Sequence, residues 1–153
     1  MWNKVLNIIM MRSQRAKNAA DNFLQTVQSE KAEGFLEVLL NLMSLVLYLD
    51  KDFRKNIKNF NARYLFCSQD RKITVAAIFN DNNMKVSKKE IDNTNITVIF
   101  RNGKSLMGFL LSPKPDILGS LLSQDITIDG NLNYIYKFAY MSKHLQLKYT
   151  GKL

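Results

Sequence analysis

The run Ile96-Thr97-Val98-Ile99-Phe100, stopped by Asn102-Gly103, and the run Asp125-Ile126-Thr127-Ile128-Asp129-Gly130-Asn131 are the two stretches on which the architecture is read. Both are short, rich in β-branched residues and closed by turn formers, the pattern of half-buried strands. A period of two puts Ile96, Val98 and Phe100 on one face and Thr97, Ile99 and Arg101 on the other. Between the two strands, Ser105-Leu106-Met107-Gly108-Phe109-Leu110-Leu111 reads as a short apolar helix capped by Ser105 and stopped by Pro113 and Pro115. Asp116-Ile117-Leu118-Gly119-Ser120-Leu121-Leu122 reads as a second, with Pro115 in its first turn. After the second strand, Asp129-Gly130-Asn131 forms a turn in which Asp129 is expected to cap, and a final helix runs from about residue 132 to 145.

Upstream, Ala62-Arg63-Tyr64-Leu65-Phe66-Cys67 and Lys72-Ile73-Thr74-Val75-Ala76-Ala77-Ile78-Phe79 flank a short polar link and predict a hairpin. Asn80-Asp81-Asn82-Asn83 then turns the chain into Met84-Lys85-Val86-Ser87 and a polar loop. The first sixty residues lack proline and repeat apolar residues at helical spacing, with Val5, Ile8 and Ile9 opening one stripe and Ala16, Ala19, Ala20, Phe23, Leu24 and Val27 another. The polar stretch from Gln28 to Glu33 and Gly34 predicts a helix end or kink. Residues 35–49 are apolar on almost every side, a helix buried on most faces or packed against a greasy ligand. Asp50-Lys51-Asp52-Phe53-Arg54-Lys55-Asn56 reads as a charged, solvated link. The expected fold is therefore α+β: a helical extension over residues 1–34 and a mixed, mostly antiparallel sheet with its helices over 35–153, together one compact unit.

Composition narrows the function. A chain of 153 residues with 46% apolar side chains fits one folded domain. One cysteine, Cys67, and one histidine, His144, leave no material for a disulfide framework or a histidine and thiolate metal centre, and no metal or cofactor is expected. Cys67 falls within a strand and is expected to pack; His144 is expected near a helix end. Phosphate-binding glycine loops are missing, and Asp125 with Asp129 make the nearest thing to a carboxylate pair, so catalysis is not expected. The apolar run at 35–49 is shorter than the ~20 residues that span a bilayer, and the first residues lack a secretory pattern, so a cytoplasmic location is the expectation. The net charge is +9. Its densest part is residues 61–104, where Arg63, Arg71, Lys72, Lys85, Lys88, Lys89, Arg101 and Lys104 outnumber Asp70, Asp81, Glu90 and Asp92. Without a long basic run, this pattern points to a solvated surface or weak attraction to anionic membranes and not to nucleic acid.

The order of these pieces resembles the sterol-carrier-protein type-two domain over roughly residues 35 to 148. Asn95-Ile96-Thr97-Val98 stands where that family has a polar residue before a D-x-T-I strand, and Ile126-Thr127-Ile128-Asp129-Gly130-Asn131 where a strand ends in a glycine-led turn that launches the last helix. The chain departs from the family at Ser123-Gln124, where glycine is frequent, and at Gly130-Asn131, where Gly-Asp is usual. Gly151-Lys152-Leu153, one substitution from the peroxisomal Ser-Lys-Leu address, is read as coincidence.

The resemblance implies a five-stranded sheet covered by helices, with an apolar tunnel between them for a lipid, sterol or acyl chain. On that footing the ligand-lining residues are Phe66, Val75, Ala77, Phe79, Val98 and Phe100 from the sheet and Ile135, Tyr136 and Ala139 from the last helix, each with core packing as its alternative role. That helix carries two apolar faces: Leu132, Ile135, Tyr136, Ala139 and Tyr140 on one, Tyr134, Phe138, Met141 and Leu145 on the other. A core, a ligand or another chain must cover the second face. Two functions compete, a non-catalytic carrier of a hydrophobic small molecule and an accessory subunit of the same fold with a filled core. The second would dock a partner, a second copy or a membrane through the N-terminal helices.

Overall fold

The computed structural model describes residues 32–112 and 116–150. The N-terminal stripes, Pro113, Pro115 and Gly151-Lys152-Leu153 lie outside the described residues. Helix α1 (Ala32–Leu49) contains Gly34, so the chain is already helical there and the expected break does not fall at that glycine. Its side chains Phe35, Leu36, Leu39, Leu40, Leu42, Met43, Val46 and Leu47 are buried. That arc is wider than one amphipathic stripe, which is why the segment reads as apolar on nearly every side. The solvated link expected at residues 50–56 is instead a compact helical turn. Asp50 caps α2 (Lys51–Arg54) by accepting from the amides of Asp52 and Phe53, and a 3-10 turn (Lys55–Ile57) follows. Phe53 and Ile57 are fully buried, so the apolar positions of this segment decided its course over its charges.

Five strands follow the expected order: β1 (Ala62–Ser68), β2 (Thr74–Asn80), β3 (Asn83–Ser87), β4 (Ile96–Phe100) and β5 (Ile126–Gly130). They form one sheet in the order β3-β2-β1-β4-β5, antiparallel except for the parallel β1 and β4 pair. The β2–β3 turn is two residues long, with Asn80 opposite Asn83 and with Asp81 and Asn82 both at positive φ, as the twist of a tight hairpin requires. After β4 come α3 (Gly103–Leu111), α4 (Ile117–Leu122), β5 and α5 (Leu132–Thr150). The cap of α3 is Asn102, whose side chain accepts from the Ser105 amide, and not Ser105 itself. Asn131 accepts from the Asn133 amide at the start of α5, the turn role expected of Asp129.

The register sets two distinct faces. Tyr64, Ala77 and Ile96 align in one row, and Phe66, Val75 and Val98 in the next. Together with the side chains of α1, α3 and α5 these residues form one core. The helix α1 runs along β3, with Glu37 paired to Lys88 at 2.8 Å and the Ser44 hydroxyl donating to the Met84 carbonyl at 2.7 Å. Leu65, Cys67 and Ala76 are buried too, but on the opposite face. The crossover from β3 to β4 runs on that side. Its Asp92 carbonyl accepts from Arg63 Nε at 3.0 Å, its Glu90 pairs with Arg71 at 3.0 Å, and Thr94 lies 3.2 Å from the hydroxyl of Thr97.

Candidate functional site

Alternation along β1, β2 and β4 brings Phe66, Val75, Ala77, Phe79, Val98 and Phe100 onto one surface beneath the helices, all at most 1% exposed. Ile135 joins them from α5, fully buried, and Ala139 packs half-buried against the same core. Tyr136 does not: it is 52% exposed, on the side of α5 away from the sheet. The buried arc of α5 is Ile135, Phe138, Met141 and Leu145, while Leu132, Tyr136 and Tyr140 form an exposed row at four-residue spacing. The two faces expected of this helix therefore divide differently, each giving members to the buried side.

Two aromatic residues not assigned to the lining occupy its centre. Tyr64 stacks on Phe66 with ring centroids 6.0 Å apart, and Phe138 meets Phe66 at 5.1 Å and Tyr64 at 6.0 Å. Phe60 and Tyr134 extend the cluster, Phe60 lying 5.4 Å from Phe79. These separations are those of packed aromatic pairs. Tyr64 was accessible to sequence reasoning, since it shares the parity of Ala62 and Phe66 in β1. The Tyr64 hydroxyl donates to the Tyr134 carbonyl at 2.8 Å, and burial pushes its pKa well above the ordinary phenol value.

Cys67 faces away from this layer, and burial raises its thiol pKa against the weaker opposite pull of Arg71, which keeps it protonated and a poor nucleophile. His144 lies on α5 with Nδ1 at 2.9 Å from Asn56 Nδ2 and its ring 5.5 Å from Phe53, a packing position. Among the described residues no three His, Cys, Asp or Glu side chains are grouped to hold a metal ion. Likewise no described helix is long and apolar enough to cross a membrane.

A cleft of about 530 Å³ opens where α3 and α4 meet the ends of β4 and β5, within the range typical of small-molecule pockets. Phe109 is among its lining residues, and the Phe109 ring packs 5.9 Å from that of Phe100 in the core layer. One wall is Arg101 and Asp125, an ion pair at 3.3 Å. Arg101 also donates to the carbonyls of Ser123 and Gln124, and Ser123 donates to Asp125 at 2.8 Å. The rim carries Lys104, Ser105, Ser120 and Asp116, the last capping α4 by accepting from the Gly119 amide at 2.8 Å. No local sequence signal marks this cleft, because separate elements supply it.

The sequence matches no protein-family model and none of the curated proteins. Solved structures do match the fold. A UbiJ-SCP2 ubiquinone synthesis protein aligns with a TM-score of 0.56 at 14% identity, over 75% of this chain and 91% of that one. The sterol carrier protein domain 2 of Helicoverpa armigera aligns with a TM-score of 0.50 at 13% identity, over 74% and 87%. The stereoselective inverting sec-alkylsulfatase Pisa1 from Pseudomonas sp. aligns at 0.53 and 13%, over 69% of this chain but only 15% of the sulfatase. The chain has the sterol-carrier-protein type-two fold, an α+β domain built on a five-stranded mixed sheet.

Proposed function

We propose that this protein is a non-catalytic binding module for a hydrophobic small molecule, a lipid, sterol or acyl chain held between the sheet and the helices. The observation that carries this reading is the continuous apolar layer from Phe79 through Phe66 and Val98 to Phe100, which nears the surface at Phe109 above an open cleft. Each methylene buried there contributes roughly 0.8 kcal/mol, so a long chain is held without polar chemistry. The shared fold supports the same reading. A cytoplasmic carrier with a net charge of +9 also suits transient contact with anionic membranes. The test is native mass spectrometry of the purified chain, then denaturing extraction and lipid identification. A co-purifying apolar molecule near one per chain is expected. An empty chain that also fails to bind fluorescent fatty acids would overturn the proposal.

The close ring contacts of Tyr64, Phe66 and Phe138 favour a second reading, an accessory subunit whose core is filled by its own side chains. Partner binding or self-association would then depend on the N-terminal segment. Deleting residues 1–30 separates the two roles: the accessory reading expects loss of partner or self-association, and the carrier reading expects ligand binding to persist.

A further inference from the structure

We propose that the outer side of α5, together with the end of α1, is a docking surface for an anionic phospholipid membrane, with Leu132, Tyr136 and Tyr140 entering the lipid interface and Lys143 meeting lipid phosphates. This goes beyond the carrier reading and does not depend on it, since the surface lies away from the interior.

Leu132, Tyr136 and Tyr140 are 45%, 52% and 58% exposed and follow one another at four-residue spacing along one side of α5. The sheet-facing side of the same helix is supplied by Ile135, Phe138, Met141 and Leu145, so packing among the described residues leaves the outer row in solvent. Single exposed apolar side chains are ordinary on a protein surface. Here five of the seven large ones exposed among the described residues fall on α5 or on Tyr48 and Leu49 at the end of α1. The two places adjoin: His144 of α5 has its ring 5.5 Å from that of Phe53 and 5.9 Å from that of Tyr140, and Arg54, next to Phe53, donates to the Leu47 carbonyl at 2.7 Å and to that of Tyr48.

Charge decides what covers this surface. The sequence of α5 holds Lys137, Lys143 and Lys148 and neither Asp nor Glu. Lys143 is exposed, has no carboxylate partner among the described residues and continues the row three residues beyond Tyr140. Near Tyr48 and Leu49, Lys51 and Lys58 are exposed in the same state, whereas Asp52 is paired with Lys55 at 2.9 Å and Asp50 accepts from the amides at the start of α2. A second copy of the same face would bring these cations together. Residues 1–31, with Lys4, Arg12, Arg15, Lys17 and Lys31 against Asp21 and Glu30, carry the same sign of charge. An anionic bilayer surface is complementary on both counts: tyrosine rings settle at the head-group level with their hydroxyls toward water, and lysines near the surface are drawn to acidic lipids.

The test is cosedimentation of the full chain with vesicles of phosphatidylcholine alone or of phosphatidylcholine and phosphatidylglycerol mixed equally. The mixed vesicles are expected to bind the chain about tenfold more tightly, and added salt to remove the difference. Tyr136→Ser combined with Tyr140→Ser is expected to weaken binding to the mixed vesicles by about tenfold and, at exposed positions, to leave the thermal midpoint unchanged. Lys143→Glu is expected to weaken binding to the mixed vesicles and not to phosphatidylcholine alone. Tyr136→Trp, made together with Trp2→Phe so that the chain keeps one indole, is expected to shift its emission to the blue on the mixed vesicles and to be quenched by brominated lipid. A chain that ignores the anionic vesicles, a double tyrosine variant that binds them as the wild type does, or an unquenched indole at position 136 overturns the proposal. So does a wild-type dimer that the double variant breaks, which would give the row to a second copy. None of these outcomes touches the ligand binding on which the carrier reading is judged.

Discussion

The hydroxyl of Tyr64 donates to the backbone carbonyl of Tyr134 at 2.8 Å, tying the middle of β1 to the first turn of α5. Burial is the main reason its phenol holds its proton well above the ordinary 10.0, with Tyr134 adding to the effect. In the unfolded chain the proton leaves near that ordinary value. Above pH 10.0 the native state therefore carries more protons than the unfolded one, and stability falls as pH rises. Below it the contribution is complete. Tyr64→Phe is expected to cost about 1 kcal/mol at neutral pH through the lost hydrogen bond and to make the alkaline decline shallower. Urea unfolding at neutral pH and above pH 10.0 measures both effects, and an equally steep decline in the variant would refute the assignment.

Gly130 is required by its surroundings in a way that Gly108 is not. Its φ is +119°, and a Cβ there would lie 2.4 Å from the Asn95 carbonyl oxygen and 3.0 Å from the Ile96 Cα, both backbone atoms that cannot swing aside. The Asn131 amide donates to the same carbonyl at 3.3 Å, while the Asn95 side chain accepts from the Arg63 amide at 2.8 Å. The glycine thus lets the start of α5 close against the start of β4. Gly130→Ala is expected to destabilise by roughly 2 to 4 kcal/mol, from backbone strain and overlap together. By contrast Gly108→Ala is expected to stabilise by about 1 kcal/mol. Thermal unfolding of the two variants side by side checks the contrast, and a neutral Gly130→Ala would contradict the observed backbone approach.

The residue that starts α3 is equally open to test. Asn102 accepts from the Ser105 amide at 2.9 Å, so Asn102→Ala is expected to cost about 1 kcal/mol. Ser105 is already inside the helix, its hydroxyl 3.5 Å from Asp125. Ser105→Ala is therefore expected to change stability by less than about 0.5 kcal/mol. Chemical denaturation of both variants distinguishes this from a helix capped by Ser105, which would reverse the order.

What the sequence made legible follows from where local preference and burial agree. In β4, alternation of Ile96, Val98 and Phe100 with Thr97 and Ile99 left one core face, and the strand and its facing came out as read. The hairpin of β1 and β2 was equally direct. In α5 two apolar faces lie on nearly opposite sides of the helix, and nothing local says which one meets the sheet; the buried arc takes Ile135 from one and Phe138 from the other, and turns Tyr136 outward. The 50–56 segment reads as a solvated link because its charges are dense, while Phe53 within it and Ile57 just after it, both fully buried, fix its path. Burial of Leu65, Cys67 and Ala76 depends on the face away from the helices, along which the crossover runs, and that is a property of strand order. The cleft was out of reach for the same reason, since Arg101 finds Ser123, Gln124 and Asp125 only after β4 and β5 have paired.

Phe138 gives the sharpest distinction between a ligand-bearing and a self-filled interior. Its ring meets Phe66 at 5.1 Å and Tyr64 at 6.0 Å with 2% exposure, so Phe138→Ala leaves a space lined by aromatic rings between α5 and the sheet. In a filled core that space is empty, and the variant is expected to lose roughly 3 to 5 kcal/mol. Where the interior accepts an apolar guest, the enlarged space is occupied, and ligand binding to the native state returns part of the loss by mass action. The carrier reading therefore expects saturating decan-1-ol to raise the midpoint of thermal unfolding of both Phe138→Ala and the wild type. The self-filled reading expects the alcohol to raise the midpoint of the variant alone, because only the variant offers a cavity. Calorimetric unfolding of the two proteins with and without the alcohol decides between them, and a wild-type midpoint unmoved at saturation would exclude an open interior.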